Sequence, residues 1–535
     1  MRGLNVKIPQ WGIPGVVDRV VRILNQSEDG LGHTLVHTRH ITSVFITILY
    51  ISFVLIFCHY QSILEFDADE GNNLIKALLV HKGFTLYSQI WSDQPPAFTY
   101  ILNFFLSLFG WHTGVARLVI LFFSGVIVFV VNDVLLQVFE SRGNRKVGIV
   151  AAATGCLLLA QSTDFVVLSV SVMIGLPSIA LMMLAVWMVL QYLQKFRRPW
   201  IIAAGALAAL SVGIKLFTIY AVPLCLTGLF AGGWLKYRSS GRLAQLQPSL
   251  LFLASFTLCV LFIFIPFTGQ DIFSPLWQLH HHVSSAKKGY DDGFKMLKRF
   301  FENDTLLFTL AALGGIRAVI MRNRIMTFWF ISVVLAAVAL FDHYPVWYHH
   351  LLLLSVPGAI LGGYAVGEML QTPWTQRMPA WLTMSLFFVV ATVIGATIHH
   401  DVHKEHSAFH ISDKRATKQK EILKHIDQYK DKIKYIVTSR QILAFSAEKP
   451  VPPDLSVTSI KRFNNKHLSA SRIYKDIEEY HAEMVILSHR WKKPVRRALR
   501  EKLRSEYRRI YRTSYNDTDI WVLKTLTASA ASTER

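Results

Sequence analysis

The stretch that decides the fold begins Phe66-Asp67-Ala68-Asp69-Glu70-Gly71 and closes on Trp91-Ser92-Asp93-Gln94-Pro95-Pro96. Its three carboxylates, Asp67, Asp69 and Glu70, arrive just after an apolar run that ends near His59. Leu74, Ile75, Leu78 and Leu79 then recur at helical spacing, with Asn72, Asn73, Lys76 and His81 on other faces, which predicts an amphipathic helix. Gly83, Tyr87, Trp91 and Asp93 follow, and the rigid Pro95-Pro96 pair opens the next apolar run. Charge held at a bilayer is costly and is usually there for a purpose. Asp69 also has a plainer reading as the N-cap of the helix, since Asp is a favoured cap; in either case the helix N-terminus helps keep it ionised.

Outward from this stretch the chain is apolar. With 535 residues, 52% hydrophobic and a mean hydropathy of +0.35, it reads as a polytopic membrane protein. Residues 1–40 read as a cytoplasmic, membrane-skirting segment, and the first run, 41–59, as a retained signal-anchor helix. Further runs lie near 97–110, 114–137, 147–161, 165–193, 200–214, 216–235, 248–267, 304–321, 326–341, 347–367 and 380–399. The expectation is a mostly α bundle of about 11–13 spans over 41–399, with an exoplasmic acidic loop at 60–96. Pro177 divides the long 165–193 run into two pieces.

One conflict stands in this topology. Counting 97–110 as a full span puts the basic loop 141–146 outside, against the positive-inside tendency, whereas a partial or re-entrant helix there removes the conflict. The loops 195–198, 236–242 and 317–324 are basic and read as cytoplasmic.

After His400 the character changes to a soluble, charged α/β domain over 400–535. Strands are expected at 434–438, 483–487 and 519–523, and helices at 471–480 and 494–508. The net charge of +21 follows from cytoplasmic loops and anionic lipid surfaces, and no zinc-finger spacing or aromatic RNA-binding motif points to nucleic acid. The four cysteines (58, 156, 225 and 259) all sit in apolar runs, so they form neither a disulfide framework nor a zinc site.

The acidic stretch resembles the first exoplasmic loop of the GT-C glycosyltransferases, in particular the family 39 protein-mannosyltransferase-like enzymes and their aminoarabinose-transferase relatives. The shared features are Asp69-Glu70 after the first span, a Gly-x-x-x-Tyr segment at Gly83–Tyr87, and Pro95-Pro96 opening the next helix. Many relatives carry Lys directly before the proline pair; this chain has Gln94, so phosphate neutralisation must come from elsewhere.

The resemblance implies a membrane glycosyltransferase that moves a sugar from a polyprenyl-phosphate donor to an acceptor hydroxyl on a glycolipid, glycan or protein. It further implies transfer at the exoplasmic face with inversion, and a tail domain on that same face. Asp69 would be the general base, and Glu70 would bind the acceptor or orient Asp69. Lys215, His349, His350 and Arg117 are candidates to meet the departing phosphate, with Asp67, Tyr87, Asp93 and Gln94 lining the substrate site.

Plainer readings accompany several of these. Lys215 can snorkel to headgroups. The aromatics of 342–350 suit an interfacial belt, which leaves the paired His349 and His350 unexplained. Asp164 is a second carboxylate or a turn residue. His280, His281 and His282 are adjacent and make a poor ligand set, and Lys287 and Lys288 suit a phosphate-facing loop.

No cofactor is required by this chemistry. Asp67, Asp69 and Glu70 could bind a divalent ion, but hard-cation cages draw ligands from several elements and only one stretch here is acidic. A nucleotide-sugar site would need a glycine fingerprint that the chain lacks. The competing class is a polytopic transporter or lipid-linked sugar flippase, which would favour internal repeats and charge at the bilayer midplane. A third reading, a non-catalytic scaffold presenting its basic tail, leaves the acidic loop idle. Small loops and scarce cysteines suit a bacterial inner membrane.

Overall fold

The structure, a computed structural model, describes residues 30–239, 241–272, 293–342, 346–372 and 413–527, with a few isolated positions besides. Residues 1–29 of the interfacial segment, the three adjacent histidines with Lys287 and Lys288, and nearly all of the expected run at 380–399 lie outside those residues, whereas 30–40, expected in the interfacial segment, form the start of the first helix.

The bundle runs α1 (Gly30–Phe57), α2 (Ala68–His81), α3 (Ala97–Phe109), α4 (Thr113–Glu140), α5 (Arg145–Gln161), α6 (Thr163–Ser169) and α7 (Gly175–Lys195). It continues through α8 (Arg198–Ile214), a 3-10 turn (Leu216–Tyr220), α9 (Ala221–Lys236), α10 (Arg242–Phe264), α11 (Gly293–Asn303), α12 (Thr305–Ile320), α13 (Arg324–Asp342) and α14 (Leu352–Leu370). Among the described residues, 7 helices are long and apolar enough to cross a membrane, or up to 8 if α5 and α6, bent by 82°, form one broken span. Adding the shorter apolar helices α8 and α12 gives nine or ten among the described residues, fewer than the expected 11–13, with nearly all of the expected run at 380–399 lying outside them. The 165–193 run does divide, into α6 and α7, with Pro177 in the first turn of α7, where its missing N–H costs nothing.

Helix α14 is buried along nearly its whole length and is the most enclosed of the spanning helices. Small residues let its neighbours approach closely. A Cβ on Gly314 would lie 2.0 Å from the Leu361 carbonyl oxygen, and one on Gly363 would lie 2.5 Å from that of Ala151.

Side-chain links sort the loops into two ends. At one end Arg142 and Arg317 both pair with Glu368, and Arg145 bonds to Thr42. Arg39, His40 and the Trp187 indole converge there on Asp133, and Lys195, Phe196 and Lys236 pack nearby. All four basic loops therefore share this end. At the other end lie the loop after α1, helix α2, Asp304 bonded to Ser162, and Phe267 against Tyr87.

Helix α3 resolves the topological conflict. Its 13 residues rise about 20 Å, short of the ~30 Å hydrocarbon core. It starts beside the Tyr87–Gln94 turn, and just past its end Trp111 packs on His81 of α2 and on Phe445 of the tail. Both of its ends therefore lie at the acidic end of the bundle. Loop 141–146 then falls with the other basic loops.

The tail holds α15 (Asp413–Asp427), β1 (Ile436–Thr438), α16 (Gln441–Ser446), α17 (Ile460–Asn464), α18 (Ala470–Glu479), β2 (Met484–Leu487), α19 (Lys493–Leu503), β3 (Tyr507–Thr513) and β4 (Thr518–Leu523). The sheet order is β1-β2-β4-β3, with β1 parallel to β2 (Ile436 opposite Met484) and the other pairs antiparallel. The three expected strands are present. The expected helix at 494–508 overran: it stops at Leu503, and Tyr507–Thr513 forms an edge strand whose interspersed arginines obscure its alternation.

Candidate functional site

Helix α2 organises the site. Its cap is Asp67, whose carboxylate accepts from the Asp69 backbone N–H at 2.9 Å. This corrects the capping reading of Asp69, which sits inside the first turn with its side chain released from that duty. Asp69 Oδ1 accepts from the Asn72 side chain at 3.2 Å. The other oxygen of Asp67 accepts from the Tyr348 hydroxyl at 3.3 Å, which ties α2 to the entry of α14.

Asp69 keeps an exposed side chain while protein surrounds it closely, as befits a group on the wall of a concave cleft. Its surroundings push its pKa up to about 6, chiefly through burial, with repulsion from Asp67 and Asp93 adding and the Asn72 bond and Lys215 opposing. Asp67 is likewise raised, mainly by burial.

The cations that answer these carboxylates come from different elements. Lys76 lies two turns along α2 on the same face as Asp69 and is only 2% exposed. Burial lowers its pKa against the pull of Asp93 and Asp69. Lys215 caps the end of α8, where the backbone turns extended before the 3-10 turn, and its ammonium lies 4.7 Å from the Phe217 ring. Burial brings Lys215 down to about 7, with Lys461 of the tail pushing the same way and Asp69 and Asp93 opposing.

Glu70 and Arg117 face elsewhere. At 0% and 1% exposure they form a forked pair with bonds of 2.8 and 2.7 Å. Glu70 also accepts from the backbone N–H groups of Phe66 and Val172, at 3.0 and 3.2 Å. Arg117 donates to the carbonyls of Tyr60 and Ile63, and its guanidinium stacks 4.7 Å over Phe66. Glu70 is expected to bind the acceptor or orient Asp69, and Arg117 to meet the phosphate; in the structure the two bind each other and hold the acidic loop to α4.

His349 and His350 are buried beside one another, and His350 Nδ1 accepts from the Trp347 backbone at 3.3 Å. His350 stacks 5.8 Å from Phe217, the ring under Lys215. Tyr87 takes a positive φ of 70° and donates its hydroxyl to the Gln94 carbonyl at 2.7 Å, fixing the turn that carries Asp93. Asp164 lies in the first turn of α6 and acts electrostatically on Tyr348.

An apolar crevice lies in the bundle between α7, α9, α13 and α14, lined by Ile179, Met182, Tyr220, Phe328, Trp329 and Leu353, with Thr218, three residues beyond Lys215, on its wall. No group of three or more His, Cys, Asp or Glu is gathered to hold a metal among the described residues.

The tail seats directly on this end of the bundle. Glu65 is forked by Arg440, at 3.3 and 3.2 Å, and by Arg490, at 3.0 and 2.9 Å. A Cβ on Gly71 would lie 2.5 Å from the Ile442 nitrogen, so α2 and α16 meet backbone to backbone. Ser456 donates to the Trp91 carbonyl at 3.0 Å, and Arg462 stacks 4.6 Å over the Trp91 ring.

Sequence reading had not picked out Lys76, Tyr348, Glu65 or these tail residues. Lys76 was legible, being one heptad beyond Asp69. The tail contacts join residues hundreds of positions apart and left no local signal.

The profile of the dolichyl-phosphate-mannose-protein mannosyltransferase family matches residues 93–267. No curated protein matches the chain by sequence. Among solved structures, the chain is similar to ArnT from Cupriavidus metallidurans bound to undecaprenyl phosphate, with TM-score 0.57, 14% identity, and 89% of this chain and 97% of that one covered. The apo state of the same protein gives TM-score 0.55, with the same identity and coverage.

Proposed function

We propose that this chain, whose residues 93–267 match the dolichyl-phosphate-mannose-protein mannosyltransferase family and whose fold is similar to that of ArnT, is a GT-C glycosyltransferase that transfers a sugar from a polyprenyl-phosphate donor to an acceptor hydroxyl. The observation that carries this reading is a reachable carboxylate, Asp69, within electrostatic reach of the ammonium of Lys215, the residue that opens the 3-10 turn whose Thr218 and Tyr220 line an apolar crevice. A polyprenyl tail suits the crevice, and its phosphate then falls beside Lys215. ArnT, which shares the fold, is described with undecaprenyl phosphate bound.

Asp69 takes the proton from the acceptor hydroxyl as its oxygen attacks the anomeric carbon. The bond from that carbon to the phosphate oxygen breaks, and the electron pair leaves with the lipid phosphate. One displacement inverts the centre. A carboxylate raised to about 6 is still mostly ionised at neutral pH, and it is a stronger base than an ordinary Asp. Lys215, near 7 in the empty cleft, is drawn back to its charged form as phosphate arrives and stabilises the leaving group. Lys76 keeps Asp69 and Asp93 ionised and separated. Glu70 and Arg117 act as positioning residues. His349 and His350 shape the wall between Lys215 and the crevice.

The active face is exoplasmic. The four basic loops at the opposite end support this orientation, since such loops stay in the cytoplasm. A bacterial inner membrane fits the same arrangement. The transporter alternative would favour accessible charge at midspan, whereas Asp69 lies on the loop-side helix α2 at one end of the bundle.

The test is Asp69→Asn in lipid nanodiscs supplied with a polyprenyl-phosphate sugar. Transfer should disappear while donor binding and thermal stability persist. Wild-type turnover in that variant would remove Asp69 as the base. Movement of donor across vesicles without any new glycosidic bond would establish the transporter instead.

A further inference from the structure

We propose that the phosphate site is composite: Lys461 of the tail domain closes over the cleft opposite Lys215, and the two ammonium groups together hold the lipid phosphate as it departs. This rests on the glycosyl-transfer reading and adds to it the group that replaces the cation absent at Gln94.

Three contacts fix where Lys461 sits. The fork of Arg440 and Arg490 on Glu65 pins the tail to the acidic loop. The close approach of Gly71 to Ile442 allows no sliding. Arg462, the next residue after Lys461 on α17, stacks on Trp91, two residues before Asp93, while its other bonds run to Val457 and to Asp454 at 3.0 and 2.8 Å. Helix α17 is thus clamped to the rim that carries Asp93. Lys461 is only partly exposed and lies within electrostatic reach of Lys215. No carboxylate forms an ion pair with Lys461 among the described residues.

Two ammonium groups within electrostatic reach in a partly dry cleft repel one another, and an anion between them turns that repulsion into attraction. The charge of the reaction selects which anion. The donor is a phosphodiester with close to one negative charge, whereas the departing lipid phosphate is a monoester approaching two. A second cation therefore favours the breaking bond over the bound donor, which is where catalytic stabilisation must act. The chemistry recognised is a phosphate monoester.

The experiment uses the full-length protein in phosphatidylcholine nanodiscs, titrated with undecaprenyl phosphate, with undecaprenol and with inorganic phosphate. Lys461→Gln should weaken undecaprenyl phosphate binding and lower kcat, each by roughly tenfold, with little change in KM for the donor. Lys461→Arg should restore most of both, and Lys493→Gln, on an exposed part of α19, should change neither. Undecaprenol should be indifferent to all three substitutions. Inorganic phosphate competing as well as the lipid would mean that the site takes free phosphate, which overturns the lipid assignment.

Wild-type affinity and kcat in Lys461→Gln, with Lys215→Gln impaired, would sink the composite site and leave glycosyl transfer standing. A wild-type protein that binds undecaprenyl phosphate no better than undecaprenol would sink both. An equal loss in Lys493→Gln would reduce the effect to the general charge of the tail and overturn the proposal.

Discussion

Replacing Arg117 by Met tests whether it holds the fold or the phosphate. The guanidinium is 1% exposed and serves both oxygens of Glu70 together with the carbonyls of Tyr60 and Ile63. Removing it strands a carboxylate that is itself 0% exposed, a type of loss that costs about 3–5 kcal/mol. The unpaired loop carbonyls push in the same direction. Arg117→Met combined with Glu70→Leu should be more stable than Arg117→Met alone, with a coupling of about 2–3 kcal/mol in the double-mutant cycle. Arg117→Lys should fall between, since a point charge cannot form the fork. The measurement is chemical unfolding in detergent micelles, with undecaprenyl phosphate binding alongside. The reasoning fails if Arg117→Met unfolds like wild type while losing binding to the phosphate, because the residue would then belong to the ligand.

The pH dependence follows from the signs of two shifts. The carboxylate form of Asp69 is needed, so kcat/KM should fall as pH drops through about 6; Lys215 must be charged to receive phosphate, so it should fall again as pH rises past about 7. Once donor is bound the alkaline limb should move upward, leaving kcat dependent mainly on the acid limb, and a profile flat below pH 6 would remove Asp69 as the base. Gly71→Ala should drive a methyl into the Ile442 backbone, 2.5 Å away, and loosen the tail; limited proteolysis between bundle and tail should speed up while the bundle stays folded. Tyr348→Phe removes one hydroxyl bond to Asp67, worth about 1 kcal/mol, and should slow transfer a few-fold with stability nearly unchanged.

Much of this was legible in the sequence because the signals are local. The apolar runs, the periodicity of Leu74, Ile75, Leu78 and Leu79, and the strand patterns at 484–487 and 518–523 each announce an element through neighbours in the chain. The stretch at 97–110 stays open in the sequence because a short apolar run looks the same whether or not it crosses the bilayer; what favours the partial helix is Trp111 resting on His81 and Phe445. The roles of Glu70 and Arg117 were beyond reach for a related reason. Both are ionisable and near the interface, and only a partner 47 positions away turns two candidate ligands into one buried pair. Strand β3 was hidden because an edge strand can hold arginines on the side that an inner strand must fill with apolar groups.

The compactness of the acidic motif has a geometric cause. Each residue of an α-helix is turned about 100° from the one before, so three in succession point in three directions. On α2, Asp69 faces the cleft, Glu70 enters the bundle to meet Arg117, and Gly71 lies flat against Ile442 of the tail. Asp67 adds the cap and the tie to Tyr348. A single turn of helix thus joins Asp69, the membrane helices and the tail domain, with no loop between them. Asp69 cannot move relative to the bundle without disturbing either the Arg117 fork or the Ile442 contact. Inserting one Ala between Asp69 and Glu70 would rotate Asp69 out of register with the other two contacts. It should abolish transfer even with every side chain of the motif present, whereas the same insertion in the exposed turn at 141–143, at the opposite end of the bundle, should leave transfer intact.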